Sequence, residues 1–283
     1  MINEKCLSKL KINDIALAIR QRILKIACCG SGAHIAPALS MADVMAVLYF
    51  DGVLRYDADN PDWNERDIFV LSKGHACLAL YAALSMAGFF KAEELKTFTH
   101  KGSRFGGHPK MHEIPGVEAS TGALGHGMLF AAGIALANKM DGKASQVYTI
   151  VGDGECEEGS MWEGFMAAAC HKLDNFVVII DYNKYQAMDS LEKIMGFRDF
   201  AGKLKAFGFS VADIDGHDCS AIKQALTERE SGKPRAVIAN TIKGKGISFM
   251  EGRPIWHCRM PNEKEMPIAL ADLQLTAEEL KTL

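Results

Sequence analysis

Isoleucines recur at three- and four-residue intervals through Ile12, Ile15, Ile19, Ile23 and Ile26. That period is the apolar stripe of an amphipathic helix, predicted over residues 12 to 28, and a second helix is expected over 41 to 49. Farther along, the pattern changes to a short continuous apolar run, DIFVL, then Lys73, Gly74 and His75, then ACLALYAALSMAG. Such an order reads as strand, tight turn and helix. The same grammar returns with strands over 146 to 151, 176 to 180 and 236 to 239, and helices over 160 to 171 and 221 to 230. Uninterrupted apolar strands alternating with helices predict an α/β fold, a parallel sheet with helices on both faces. A single domain of 283 residues is expected, with a core of about 12 to 245 and an irregular segment over 246 to 283. Two internal stretches also resist the grammar, the glycine- and histidine-rich residues 98 to 122 and residues 184 to 200. A connection that long inside one domain is usually functional.

Charge and cysteine usage narrow the picture. The chain carries 32 basic and 35 acidic residues, a net charge of -3, which leaves no basic excess for a nucleic-acid backbone. Eight cysteines, at 6, 28, 29, 77, 156, 170, 219 and 258, form neither a CxxC pair nor a zinc spacing. They read as reduced thiols, as in a cytoplasmic protein. The opening MINEKCLSKLKINDIALAIRQRI scatters its charges and does not resemble a secretory leader. No apolar run approaches the ~18 residues that would span a bilayer.

The chemistry concentrates in residues 147 to 183, VYTIVGDGECEEGSMWEGFMAAACHKLDNFVVIIDYN. The pattern is βαβ, with Asp153 just past the first strand and Asn183 just past the second. Parallel strands bring both to one crevice, where open α/β sheets bind ligands. Gly152 and Gly154 let backbone approach a ligand, and the following helix aims its first amides at the same place, favouring an anion such as a diphosphate. Asp153 and Asn183 together suit Mg²⁺, which takes hard oxygen ligands and shares itself with phosphate. A GDG tripeptide alone is a common turn; the asparagine 30 positions beyond its aspartate gives it weight.

GDG with that asparagine resembles the thiamine diphosphate motif of transketolase-like enzymes. SGAHIAPALSMAD, FVLSKGHACLALYAAL, GGHPKMHEIPGVEASTGALGHG, DIDGHD, ANTIKGKG and the later Trp256-His257 pair are similar to further transketolase segments, in the family's order, over about residues 15 to 260. Family enzymes normally add a pyrimidine-binding domain and a C-terminal domain. The chain therefore resembles the N-terminal, diphosphate-binding subunit of a split transketolase, residues 1 to 283 forming that single domain.

The resemblance implies thiamine diphosphate and Mg²⁺ as cofactors, with Asp153, Asn183 and the carbonyl of Tyr185 as metal ligands. It places His75, Gly122, Ala123, Leu124, Gly152, Asp153, Gly154 and Asn183 against the cofactor, and His34, His108 and His257 around a ketose. It sets Glu158 and Glu163 at the interface between paired active sites. The glutamate that activates the cofactor lies in the family's pyrimidine domain and has no counterpart here. A separate partner subunit, sugar phosphate substrates and an α2β2 assembly follow. The implied reaction moves a two-carbon glycolaldehyde unit from a ketose to an aldose. Two alternatives share part of this logic: the α subunit of a 2-oxo acid dehydrogenase, and a cofactor-binding subunit without turnover.

Other residues have plainer readings. His100, His112, His171 and His217 are expected to be ordinary surface or core histidines, and His126 either touches the cofactor or packs. Glu155 and Glu157 read as helix N-terminal charge. Methionines and aromatics of 41 to 50 and 161 to 166 are expected in the core. KYQAMDS and WHCRMP depart from the family's usual segments, which makes Cys258 and Arg259 candidates for altered substrate choice.

Overall fold

A computed structural model describes residues 10 to 196 and 199 to 283, so Cys6 and the extreme N-terminus lie outside the described residues. The opening isoleucine stripe forms α1 (Ile12–Cys29), followed by a short α2 (Ile35–Leu39) and by α3 (Ala42–Phe50). Then come β1 (Ile68–Leu71), α4 (Cys77–Met86), α5 (Gly127–Met140), β2 (Val147–Gly152), α6 (Gly159–Cys170) and β3 (Phe176–Tyr182). The chain continues through α7 (Leu191–Ile194), α8 (Phe200–Phe207), β4 (Ser210–Asp215), α9 (Cys219–Thr227), β5 (Arg235–Asn240) and α10 (Met266–Asp272).

All five strands pair in parallel, in the order β1-β2-β3-β5-β4. Because successive strand residues point to opposite faces, the sheet divides two cores. Phe69, Tyr148, Ile150, Val177, Ile179 and Val237 face the larger one with α1, α3, α4 and α9. Val70, Val147, Phe176, Val178 and Ile238 face a smaller one with α5, α6 and α8. Burial on both faces explains the continuous apolar runs of β1, β2, β3 and β5.

The strand that the sequence pattern does not disclose is β4. It pairs only with β5, and its alternating exposed positions include Asp213 and Asp215. Its faces are only partly covered, so it has no continuous apolar run to announce it. The tail past residue 246, expected to be irregular, contains α10, whose Ala269 is fully buried in the larger core. The segment 98 to 122 does lack α-helix and strand. It is held instead by side chains: Tyr81 donates to the carbonyl of Gly106 at 3.0 Å, Thr121 Oγ1 donates to that of Leu71 at 2.7 Å, and Phe105 is buried.

Core expectations for the methionines and aromatics hold at Met41, Met45, Tyr49, Met161 and Phe165. Met166 corrects them, being 55% exposed; on the neighbouring α5, Phe130 is 45% exposed. These two helices bury one face on the sheet and turn an apolar outer face to solvent.

Phe165 stands edge-on to Phe209 at 5.6 Å and to Trp162 at 5.4 Å, with no exposure. Phe165→Ala is expected to lower unfolding free energy by ~3–5 kcal/mol through lost contact and a residual cavity. Urea denaturation of the chain checks it, with the exposed Phe130→Ser expected to stay within ~0.5 kcal/mol of wild type.

Candidate active site

The pairing of β2 with β3 ends at Gly152 opposite Asp181. Asp153 and Asn183 leave the sheet just past that point, as the βαβ pattern predicts. Asp153 is 3% exposed. Gly154 N–H donates to its Oδ1 at 2.8 Å and Lys184 N–H to its Oδ2 at 2.6 Å. Asn183 Nδ2 donates to Asp181 Oδ2 at 3.0 Å, which fixes the amide and leaves Oδ1 to accept from Tyr185 N–H at 3.2 Å. Burial, and then the neighbouring Asp181 charge, push the Asp153 carboxyl up to about 7. A carboxylate costly to ionise alone is one that a bound cation would relieve.

Beneath this pair is a buried ion pair. Lys73 Nζ contacts Asp181 Oδ2 and donates to the carbonyl of Pro37 at 2.9 Å. Asp181 also accepts from Ser40 Oγ at 2.6 Å and from Thr241 Oγ1. Burial raises its carboxyl, but Lys73 and these hydroxyls outweigh that and hold it below the ordinary carboxylate range.

Four histidines from distant segments converge across the crevice. His34 precedes α2, His75 follows β1, His108 lies in the long loop, and His257 follows a short 3₁₀ turn at Pro254–Trp256. Ring centroids are 5.4 Å apart for His34 and His75, 5.2 Å for His34 and His257, 5.2 Å for His75 and His257, and 6.1 Å for His34 and His108. Burial, followed by Lys243, His34 and Lys73, lowers His257 to about 3. His75 lies well below its ordinary value through burial and Lys73, and His34 is lowered by burial and His108. His34, His75 and His257 are therefore neutral imidazoles near pH 7, each with one donor and one acceptor nitrogen.

Lys243 braces this group. Its Nζ donates to the carbonyls of Tyr185 at 3.0 Å and Gln186 at 2.8 Å, and approaches His257 Nδ1 at 3.0 Å. Three ammonium protons thus meet three acceptors, so Nδ1 of His257 accepts and the imidazole proton sits on Nε2. Burial and Lys73 lower the Lys243 amine to about 8.

A cavity of about 250 Å³ runs between the two groups, walled by His75, Gly122, Leu124, Gly154, Gln186 and His257. Asp153, Asn183 and Tyr185 also line it. Gly154 has no room for a side chain, because a Cβ there would come within 2.8 Å of Gln186 Cγ. Among the described residues no three His, Cys, Asp or Glu side chains converge on a metal position. A cation here would have to use the Asp153 carboxylate with amide and carbonyl oxygens, a hard donor set that fits Mg²⁺ shared with a diphosphate.

The remaining candidates lie outside the cavity. Ala123 and His108 are exposed at its edge, and Glu158 and Glu163 are exposed at the start of α6. His126 is exposed, its Nδ1 3.1 Å from the carbonyl of Leu124. Glu155 stands at a helix start as its reading had it, but does more there: it is 2% exposed and accepts from Ser72 Oγ at 2.6 Å, Gly125 N–H at 2.9 Å and Gly152 N–H at 3.1 Å. It ties the long loop to the turn carrying Asp153. Glu157 accepts from Gln186 Nε2 at 2.7 Å. Arg259 stacks on Trp256, 4.1 Å from the ring centroid, and pairs with Glu265 at 2.9 Å, so it braces the histidine turn. Cys258 is exposed. Lys73, Asp181, Gln186 and Lys243 escaped the sequence reading. The available signal was charge inside apolar runs, as in VVIIDYN and VIANTIKGKG, since a buried charge must have a partner.

The profile of the family described as "Transketolase, thiamine diphosphate binding domain" matches residues 13–269. The chain belongs to the transketolase family. It is 40% identical over 275 residues to an apulose-4-phosphate transketolase subunit of Actinobacillus succinogenes, covering 96% of this chain and 99% of that protein. It is 41% identical over 243 residues to the 6-deoxy-6-sulfo-D-fructose transketolase subunit SqwG of a Clostridium strain, covering 85% of this chain and 88% of that protein. The solved transketolase of Leishmania mexicana superposes with a TM-score of 0.88 at 30% identity, over 96% of this chain but 43% of that one. The chain thus spans nearly all of the subunit-type transketolases and less than half of the full-length enzyme. Its match is to the family's thiamine diphosphate-binding domain. No described helix is long and apolar enough to cross a membrane.

The raised Asp153 carboxyl generates a prediction for the chain without cofactor. An acid whose folded pKa lies above its unfolded one costs stability as pH rises from the ordinary carboxylate range to about 7. Asp153→Asn removes that cost. The variant is expected to melt above wild type at about pH 8, the gap closing toward about pH 4. Mg²⁺ with thiamine diphosphate should reverse the order by stabilising wild type alone. Calorimetric melting across pH, with and without both ligands, checks both signs.

Proposed function

We propose that this chain is the N-terminal subunit of a two-subunit transketolase, moving a two-carbon glycolaldehyde unit from a ketose or its phosphate to an aldose or its phosphate. The observation that carries the reading is the meeting of Asp153, Asn183, His75 and His257 on one cavity, with the His34 ring packed against both imidazoles, in a chain that matches subunit-type relatives almost end to end. Mg²⁺ is held by Asp153, Asn183 and the carbonyl of Tyr185, whose second lone pair is left over from its bond to Lys243. His75 and the backbone at Gly122, Ala123, Leu124, Gly152 and Gly154 face the cofactor. When bound, thiamine diphosphate supplies the electron sink that lets the carbon–carbon bond beside a ketone break.

The protein's own part is positioning and hydrogen bonding. Neutral His34 and His257 can each give an N–H to a sugar hydroxyl or to an oxygen gaining negative charge, without the solvation cost of a buried imidazolium. Their rings are held by mutual contact and by Lys243, so little reorganisation accompanies the reaction. His108 approaches from the loop side, where it reaches a sugar chain extending toward solvent.

The partner is a separate subunit carrying the pyrimidine-binding domain, in an α2β2 assembly within the cytoplasm. Support comes from the subunit-type relatives and from the outer face of α5 and α6. There Phe130, Gly133, Ala137, Met166 and Ala167 are exposed together, an apolar strip with small residues that allow close helix approach. Glu158 and Glu163 flank that strip, where they would meet the partner rather than the sugar. Exposed Cys258 beside His257 bears on which sugar is accepted.

The chain alone is expected to show no two-carbon transfer, and co-expression with the adjacent reading frame should restore it in a ketose-plus-aldose assay. Robust turnover by the single purified chain would refute the split-site reading. In the restored enzyme, His257→Ala is expected to lower kcat/KM for the ketose by roughly 100-fold or more while leaving calorimetric cofactor affinity unchanged. Wild-type donor kinetics would remove His257 from the site.

A further inference from the structure

The DIDGHD segment, which the cavity does not use, holds a second histidine system. His217, in the turn between β4 and α9, places Nδ1 2.7 Å from Asp43 Oδ2. Its Nε2 accepts the backbone N–H of Ile242 at 2.9 Å. That acceptance requires a lone pair on Nε2, so the ring proton lies on Nδ1 and is donated to Asp43. On α3, Asp43 is 6% exposed, and it also accepts from both terminal nitrogens of Arg20, on α1. Burial pushes the Asp43 carboxyl up, but the His217 hydrogen bond and the Arg20 charge outweigh it and keep it ionised. Arg20 uses its remaining Nε–H on the carbonyl of Lys245 at 3.1 Å.

Both ends of this chain of bonds act on the same short segment, Thr241 to Gly246. Thr241 is tied to Asp181, Ile242 to His217, the N–H of Gly244 to the carbonyl of Ala36 at 3.0 Å, and Lys245 to Arg20. Gly216 allows the His217 turn to lie this close, because a Cβ there would meet Thr241 Cγ2 at 2.5 Å. The residue left in the middle is Lys243, whose ammonium reaches His257 and the Tyr185 carbonyl. Solvent exposure does not explain the arrangement, since a polar turn needs no buried aspartate and arginine to hold it.

We propose that Arg20, Asp43 and His217 form a positioning relay that sets the backbone of residues 241 to 246, and through it aims Lys243 at His257 and the Tyr185 carbonyl. The proposal rests on the transketolase reading for its consequence to turnover, though the geometry of the relay does not. His217 touches neither cofactor nor sugar; it acts through Lys243.

An amide also sets one donor beside one acceptor, so His217→Gln can keep both bonds whereas His217→Ala loses both. In the two-subunit enzyme, His217→Ala is expected to lower kcat by roughly 10- to 100-fold, as displacement of a positioned group does. Apparent thiamine diphosphate affinity should change by less than about threefold, and His217→Gln should return kcat to within about threefold of wild type. Hydrogen exchange of the full chain, read by mass spectrometry, should show the amides of Ile242 and Gly244 losing protection in His217→Ala and regaining it in His217→Gln. Asp43→Asn, which keeps the shape and weakens the acceptor, is the second variant should His217→Ala fail to fold, and the same loss of turnover and protection is expected. Wild-type kcat in the folded Ala variant, a Gln variant as slow as Ala, or unchanged exchange over 241 to 246 would overturn the relay. If the wild-type pair transfers no two-carbon unit, the functional reading fails by itself, and the exchange pattern still decides the relay.

Discussion

The site hangs on one buried carboxylate. Asp181 sits at the end of β3 with its oxygens shared among Lys73, Ser40, Thr241 and Asn183. Those partners come from the turn after β1, the end of α2, the residue after β5 and the turn that follows its own strand. A charge so deep survives only if it is paired and its lone pairs are used, and breaking such a pair is far worse than never having built it. The carboxylate therefore compels four chain segments to meet at one level of the sheet. It also fixes the Asn183 amide and raises Asp153, so the same charge that gathers the fold sets the electrostatics of the cavity.

Parallel pairing does the rest. Each strand ends at the same edge, and the chain reverses there into turns whose lengths differ: a short one carrying Lys73 and His75, another carrying Asp153, a third carrying Asn183 and Tyr185, and a fourth carrying Lys243. Glu155 then draws the long loop back over these turns through Gly125. A single carboxylate under the sheet edge and another under the loop are enough to order a region with little regular structure of its own.

Much of this was legible in the sequence because burial leaves a periodic signature. The isoleucine stripe gave α1, continuous apolar runs gave four of the five strands, and strand-end position gave Asp153 and Asn183. What escaped was decided by contacts between distant segments. β4 alternates with aspartates because its faces are only partly covered. Lys73 and Asp181 read as isolated charges until the chain is folded, 108 positions apart and touching. Glu155 looks like ordinary helix-start acidity, and only the packing of the loop on Gly125 and Ser72 buries it. Met166 fits a core period but faces outward, because α6 lays only its other face on the sheet.

The two cores on either side of the sheet are unequal, and this matters for how the molecule breathes. The layer of α1, α3, α4 and α9 contains two helices, α3 and α4, without an exposed residue, whereas α5 and α6 are covered on one side only. Local opening is easiest where contacts are fewest. The chain therefore has a stiff half and a soft half divided by its sheet, with Asp153 and Asn183 at the seam. A partner docked on the soft half would restrain its opening motions and narrow the fluctuations at that seam, and assembly would then order the cavity in the same event.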